Sequence, residues 1–124
     1  LDMAIDANNH LHLAFGDFDN GYLMYGYYDG TNWTTQTVDA SGDCGFAASI
    51  ALDPAGLPHI VYVDMASAKI KYATLSGGNW SIEEVGDYTA NDAYTHIPGI
   101  AVDTAGGVHI CFSNASDELV YAHR

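Results

Sequence analysis

The sequence of 124 residues carries 16 acidic and only three basic side chains, which gives a formal net charge of −13. A surface this acidic repels phosphate backbones, so we expect no nucleic-acid partner. Apolar residues make up 48% of the chain, which excludes a disordered protein, and no apolar run approaches the roughly 20 residues of a membrane-spanning helix.

The first part of the chain alternates short apolar segments with turn signals. Asp, Asn and Gly cluster between the segments, and the segments themselves are rich in aromatic and β-branched residues, which is typical of strands joined by tight turns. We predict strands at residues 2–6, 11–16, 22–28 and 33–38. A polar, glycine-containing connection follows at residues 39–45.

The rest of the chain repeats this plan. A second unit has predicted strands near 48–53, 58–63, 69–75 and 80–85, and a third has strands near 98–103, 108–113 and 118–122. No segment keeps the 3.6-residue period of an amphipathic helix over three turns. We therefore predict an all-β protein in a single domain, with antiparallel units of four, four and three strands at about 1–39, 47–86 and 97–124.

A fixed pair of residues marks each unit. An Asp is followed six positions later by a His in the pairs Asp6/His12, Asp53/His59 and Asp103/His109. The pairs recur after 47 and then 50 residues, and such a period indicates repeat architecture. Four-stranded antiparallel units of this length are typical of β-propeller blades, which must stack on their neighbours to bury both faces.

The second strand of each unit supports stacked blades. Large apolar residues point one way, as Leu13/Phe15, Ile60/Tyr62 and Ile110/Phe112, and smaller ones point the other way, as Ala14, Val61 and Cys111. We accordingly expect Cys111 to be a small buried residue, and we place Cys44 in a loop. The sequence does not decide whether the two cysteines form a disulfide.

The second unit carries a recognisable pattern. It reads Asp-x-x-Gly-x-Pro-His-Ile-x-Tyr at 53–62, Lys-Tyr-Ala at 71–73 and Gly-Asn-Trp at 78–80. This resembles the sialidase-like and BNR-like propeller repeats of secreted bacterial and archaeal proteins. The resemblance implies a scaffold in an extracellular or cell-surface protein. It implies no sialidase reaction, because the Asp-box Ser-x-Asp-x-Gly-x-Thr-Trp is absent.

The repeated Asp and His residues allow three interpretations. Each Asp ends one strand and each His opens the next, so a hairpin brings them side by side. The Asp/His pairs could then serve as catalytic dyads, as metal ligands, or as hydrogen-bonded pairs that stabilise each blade. We favour the structural role, because a catalytic centre needs unlike groups and these pairs are alike. His59→Ala should lower thermal stability without abolishing binding.

Candidate binding residues collect at one end of the units. In an up-and-down blade, the turn between the second and third strands shares an end with the blade-to-blade connections, and loops on a rigid scaffold commonly carry binding. Nine acids fall at this end: Asp17, Asp19, Asp39, Asp43, Asp64, Asp87, Asp92, Asp117 and Glu118. From this end we select Asp17, Asp19, Asp64, Tyr88, Tyr94 and His96 as a binding surface.

Two tryptophans are further candidates. Trp33 and Trp80 each begin an outermost strand, where an aromatic ring can stack on a sugar or fill the gap between blades; we favour packing. Asp17 and Asp19 also resemble half of a calcium loop, but the distant bidentate Glu is missing and a solvated turn is the favoured interpretation. No zinc or cofactor signature is present, and we predict no cofactor.

Three functions remain open. The first is an extracellular, non-catalytic module that binds a glycan or a protein. The second is a structural subunit of a filament or surface assembly, and the third is a fragment of a propeller polysaccharide lyase or glycosidase. Three units do not close a ring of four to eight blades. We therefore expect self-association, for example two copies in a six-bladed ring, or a longer propeller; an enzyme is the less favoured interpretation.

Overall fold

The computed structural model describes residues 1–88 and 97–124, and in this part of the chain every regular element is a β-strand. The strands are β1 (Asp2–Ile5), β2 (Leu11–Asp17), β3 (Tyr22–Tyr28), β4 (Trp33–Asp39), β5 (Cys44–Leu52), β6 (Pro58–Asp64), β7 (Lys69–Ser76), β8 (Asn79–Asp87), β9 (Gly99–Val102), β10 (Val108–Ser113) and β11 (Leu119–His123). The residues described contain no helix long and apolar enough to span a membrane.

The strands form three antiparallel sheets. The first sheet has the order β1-β2-β3-β4, the second β5-β6-β7-β8 and the third β9-β10-β11. Each strand pairs with its neighbour in sequence, as expected from tight turns between short apolar segments. The all-β class and the division into four, four and three strands are confirmed.

Strand β5 begins four residues earlier than the sequence suggested. Its pairing with β6 shifts register twice, and Gly45 and Ala47 have positive φ angles of 85° and 47°. Bulges of this kind extend a strand through residues that look like a turn. The prediction that Cys44 lies in a loop is wrong, because Cys44 is the first residue of β5 and only 1% exposed.

The sheets stack face to face in chain order. Strand β5 packs on β1, β2 and β3 of the first sheet, and β9 packs on β5 and β6. One core, between the first and second sheets, contains Ala14, Leu23, Tyr25, Val38, Cys44, Ala48, Ile50, Ile60, Tyr62 and Ala73. The other, between the second and third, contains Val61, Val63, Ile70, Tyr72, Tyr88, Val108, Ile110 and Phe112. The second sheet is thus covered on both faces, and every residue of β6 is buried.

The first and third sheets each keep an outer face that no described residue covers. Met3 and Ile5 are 53% and 57% exposed on the first sheet, and Leu119 and Tyr121 are 80% and 62% exposed on the third. Cys111 is also exposed, so the prediction of a buried residue is wrong. It holds the place of Ala14 and Val61, but none of the three described sheets packs over it. Both cysteines are free thiols.

Candidate functional site

The repeated aspartates organise the turn between the first two strands of each sheet. Asp53 Oδ1 accepts hydrogen bonds from the backbone N–H groups of Ala55 and Leu57, both at 2.8 Å. Asp6 and Asp103 accept two backbone hydrogen bonds in the same way. One carboxylate oxygen therefore fixes the turn, and the other remains available for the histidine six residues later.

Each of these histidines lies between an Asp and a Tyr. The Nε2 to Oδ2 distances are 3.5 Å for His12 and Asp6, 3.6 Å for His59 and Asp53, and 3.0 Å for His109 and Asp103. On the other side of the ring, Nδ1 lies 2.7, 2.6 and 2.7 Å from the hydroxyls of Tyr25, Tyr72 and Tyr121. We call these the Asp–His–Tyr groups of the three sheets.

The tyrosines of these groups were not predicted as partners of the histidines. Their signal in the sequence is a nearly constant separation, 13 residues after His12 and His59 and 12 residues after His109. The separation follows from a strand, a short turn and the returning strand. Only the pairing register of the second and third strands shows that the side chains meet.

The neighbouring sheet decides how each group is exposed. The side chains of His12 and His59 are 5% and 10% exposed under the following sheet, whereas that of His109 is 37% exposed. Burial lowers the pKa of His12 despite the opposing effect of Asp6. In the open third group, the hydrogen bond from His109 lowers the pKa of Asp103 to about 2.

A groove opens between the first and second sheets, beside the first of these groups. It encloses about 290 Å³. Its wall from the first sheet consists of Asp6, His12, Tyr25, Tyr27, Thr34 and Gln36, and its wall from the second of Ala55, Gly56, Leu57, Pro58 and Leu75. The wall is therefore aromatic and polar on one side and largely apolar on the other.

Trp80 supports this groove through contacts with two of its lining residues. Its ring packs edge-to-face on Tyr25 with the centroids 5.2 Å apart, and its Nε1–H donates to Gln36 Oε1 at 3.1 Å. Tyr27 packs on His12 with 5.1 Å between the ring centroids, and its hydroxyl lies 2.8 Å from His10 Nδ1. The groove thus holds aromatic faces and hydrogen-bonding groups in one place.

The corresponding region between the second and third sheets differs in chemistry. Glu83 stands where the first sheet has Gln36, and Thr74 stands where it has Tyr27. Arg124 forms an ion pair with Glu83. This second region therefore carries an ion pair where the first carries a tryptophan bonded to an amide.

A buried polar network, which the sequence did not indicate, lies between the first two sheets. Tyr62 donates its O–H to Asp39 at 2.6 Å, and Lys71 Nζ lies 3.2 Å from Asp39 and 2.5 Å from Asp64. Burial opposes the charge on Lys71, but hydrogen bonds to the two carboxylates outweigh it and raise the pKa. For the Tyr62 hydroxyl, in contrast, burial itself raises the pKa, and the hydrogen bond to Asp39 raises it further.

Those residues chosen from sequence at the acidic end that the structure describes lie in different surroundings. Asp64 is in the buried network, and Tyr88 is 4% exposed in the core between the second and third sheets. Asp17 accepts hydrogen bonds from the backbone N–H groups of Asp19 and Asn20 within its own turn. Tyr94 and His96 lie outside the described residues.

The two tryptophans and the acidic turn at Asp17 and Asp19 have different surroundings. Trp33 is 53% exposed on the outer face of the first sheet, where it stacks on Tyr28 with 5.0 Å between centroids. Within residues 1–88 and 97–124, Asp17 and Asp19 belong to no group of three potential metal ligands; the group that does form joins Asp103, His109 and His123.

Comparisons with known proteins give a fold and no family. No protein-family model matches the sequence, and no curated protein matches it significantly. A fucose lectin from Kordia zhangzhouensis, in complex with methyl-fucoside, is similar in structure with a TM-score of 0.62 and 20% identity, over 99% of this chain and 90% of the lectin.

An intramolecular trans-sialidase from Ruminococcus gnavus, in complex with oseltamivir carboxylate, has a TM-score of 0.57 and 18% identity over 83% of this chain. The match spans only 24% of that larger chain. At these identities the likeness concerns the fold, because one fold serves many functions. The chain shares the β-rich architecture of the lectin and of part of the trans-sialidase.

Proposed function

We propose that this chain is an extracellular, non-catalytic glycan-binding module, folded as one propeller-type domain, with its sugar site in the groove between the first and second sheets. One observation carries this proposal: the rings of Tyr25 and Tyr27 and the polar ends of Thr34 and Gln36 line one groove of about 290 Å³. A sugar presents an apolar C–H face and several hydroxyls, and this combination of groups suits both.

The proposed site is at the opposite end of the sheets from the acidic connections. The groove is a better sugar site than the acidic end, because Asp64 and Tyr88 are buried, whereas Thr34 and Gln36 are exposed and line the groove. The structural likeness to a fucose lectin supports a sugar as the ligand. The three Asp–His–Tyr groups share the same arrangement, which supports binding over catalysis, because an enzyme site needs unlike acid and base groups.

Calorimetric titration with methyl-fucoside, preceded by a glycan array to widen the choice of sugar, tests the proposal. Gln36→Ala and Thr34→Ala should each weaken binding about tenfold, because each removes a hydrogen-bonding group from the groove. Thr35→Ala is the matched control, since it lies on the same strand with its side chain on the outer face. Absence of any glycan ligand, or equal affinity in all three variants, contradicts the groove as a sugar site.

We further propose that copies of the chain associate through their outer faces. Ala14 and Val61 hold equivalent places on the faces that the following sheet covers, and Cys111 holds that place on the open third sheet. Ile60 and Ile110 pack against the preceding sheet, and Leu13 holds their place on the open first sheet. The third sheet of one copy therefore matches the first sheet of another.

Such a contact is head-to-tail, and it forms a ring when its rotation closes. Two copies supply six sheets, which is within the usual range for propellers. Light scattering in solution should therefore give about twice the 13.3 kDa of one chain, and Ile5→Lys on the open first sheet should reduce the mass to one chain. A wild-type monomer at high concentration contradicts association. A light-scattering mass that keeps rising with protein concentration favours the alternative of a filament or surface subunit.

A further inference from the structure

We propose that Asp103, His109 and His123 form a binding site for a transition-metal ion of the zinc type on the third sheet. One potential ligand atom from each residue lies within 4.8 Å of the other two. Imidazole nitrogen and carboxylate oxygen are ligands that Zn²⁺ takes in three-residue sites with an open fourth position. The inference does not depend on the sugar site and goes beyond it.

The distances already approach those of a coordinated ion. His109 Nε2 and Asp103 Oδ2 are 3.0 Å apart, and the rings of His109 and His123 lie 4.9 Å apart at 46°. Two ligands at ~2.1 Å from a tetrahedral metal are roughly 3.4 Å from each other. Small rotations of the exposed side chains bring three ligand atoms to one ion.

In the first sheet a second imidazole, that of His10, reaches Asp6 from the turn, whereas in the third sheet the second imidazole comes from across the strands. His109 pairs with His123 across the strands, whereas His12 pairs with Tyr27 and His59 with Thr74. Gly107, which has no side chain, leaves room for the His123 imidazole beside Asp103. A Cβ atom at this position would lie 2.6 Å from Asp103 Oδ2 and 3.0 Å from His123 Nε2.

Two of the ligands are held in orientation by partners that leave the metal-facing atoms available. Tyr121 lies 2.7 Å from His109 Nδ1, which directs Nε2 toward the site. Backbone N–H groups hold Asp103 Oδ1 at 2.8 and 2.9 Å, which leaves Oδ2 for the ion. Hydrogen-bonding partners of this kind are what orient metal-ligating histidines and carboxylates in known sites.

The site is accessible and lies in a favourable field. The side chains of Asp103 and His109 are 43% and 37% exposed, so water can occupy the remaining coordination positions. The formal net charge of −13 attracts cations. In the association proposed above, the first sheet of the next copy would cover this face as the second sheet covers His12, so the site is open to an ion in the single chain.

Calorimetric titration of the full chain with Zn²⁺ tests the proposal. The buffer contains excess Mg²⁺, which saturates weak cation sites on the acidic surface. We expect one Zn²⁺ per chain, and Co²⁺ should give the visible absorption of a low-coordinate site with nitrogen ligands. His123→Thr, which installs the residue found at Thr74, should weaken Zn²⁺ binding at least tenfold. Tyr121→Phe should weaken it about tenfold, since it removes only the orienting partner.

Asp103→Asn and Glu118→Gln form the matched pair of charge removals. Each takes one carboxylate from an exposed residue of the third unit, but only the first should weaken Zn²⁺ binding. No Zn²⁺ uptake at a ratio of one, or equal uptake by wild type and His123→Thr, overturns the proposal. Thermal melts establish that each variant is folded, and His123 is exposed, so its replacement leaves the core intact.

Discussion

The second and third sheets are built from the same repeat, yet they have different surroundings. The second sheet is covered on both faces and contains a buried lysine between two carboxylates. The third sheet is covered on one face, and Phe112 and Val120 stand where the second sheet has Tyr62 and Lys71. The repeat therefore determines the strands and turns, and the neighbouring sheet determines which side chains are desolvated. Three predictions test this division.

The largest effect should come from the buried ion pairs of the second sheet. Lys71→Met, which installs the residue of the first unit, Met24, leaves Asp39 and Asp64 without their cation. We expect a loss of about 3–5 kcal/mol in the free energy of unfolding, measured by urea denaturation. Lys69→Met, two residues away, removes the more exposed pair with Asp87 and should cost less than about 1 kcal/mol. If both variants lost the same free energy of unfolding, burial would not explain the difference between the two lysines.

The covered and open Asp–His–Tyr groups provide the next test. His59→Ala leaves a buried tyrosine hydroxyl without its partner and opens a gap beneath the third sheet, so we expect a loss of roughly 2–3 kcal/mol. His109→Ala removes hydrogen bonds to Tyr121 and Asp103 in an exposed setting and should cost under about 1 kcal/mol. Thermal melts of both variants decide the matter. If His59→Ala keeps full stability but loses ligand binding, the structural role of the group is wrong.

The smallest effect concerns pH and the covered group of the first sheet. Because burial lowers the pKa of His12, the unfolded chain takes up this proton near pH 6.5, before the folded chain does. Stability should be complete above about pH 6.5 and fall as the pH drops toward the pKa of the folded state, by at most about 1.4 kcal/mol per pH unit. NMR titration should place the His12 midpoint below 6.5. A midpoint above that value, or an unchanged slope in His12→Gln, contradicts the assignment.

The sequence predicted the elements of this fold well, because the signals are local. Asp at a turn, Gly beyond it and alternating apolar residues recur in each unit, and the strands follow from them. Cys44 was misplaced because a bulge at Gly45 resembles a turn. Cys111 was misplaced because periodicity reports which way a side chain points and not whether another sheet covers it.

The candidate sites were less predictable, because they depend on contacts between strands and sheets. The position of His123 beside His109 follows from register, and the network around Lys71 follows from the stacking of the first two sheets. The bond between Trp80 and Gln36 joins residues 44 apart in sequence. No motif of fixed spacing marks any of them, so sequence reasoning concentrated on the acidic loops instead.

The two outer faces are opposite faces of the same repeat, which has a consequence for how such chains vary. Duplication or deletion of one whole unit would leave the same pair of terminal surfaces, since every internal interface uses the same places of the repeat. Under the association proposed above, the number of units encoded in one polypeptide and the number needed to close a ring are separate variables. Genes of different length can in this way specify the same finished particle.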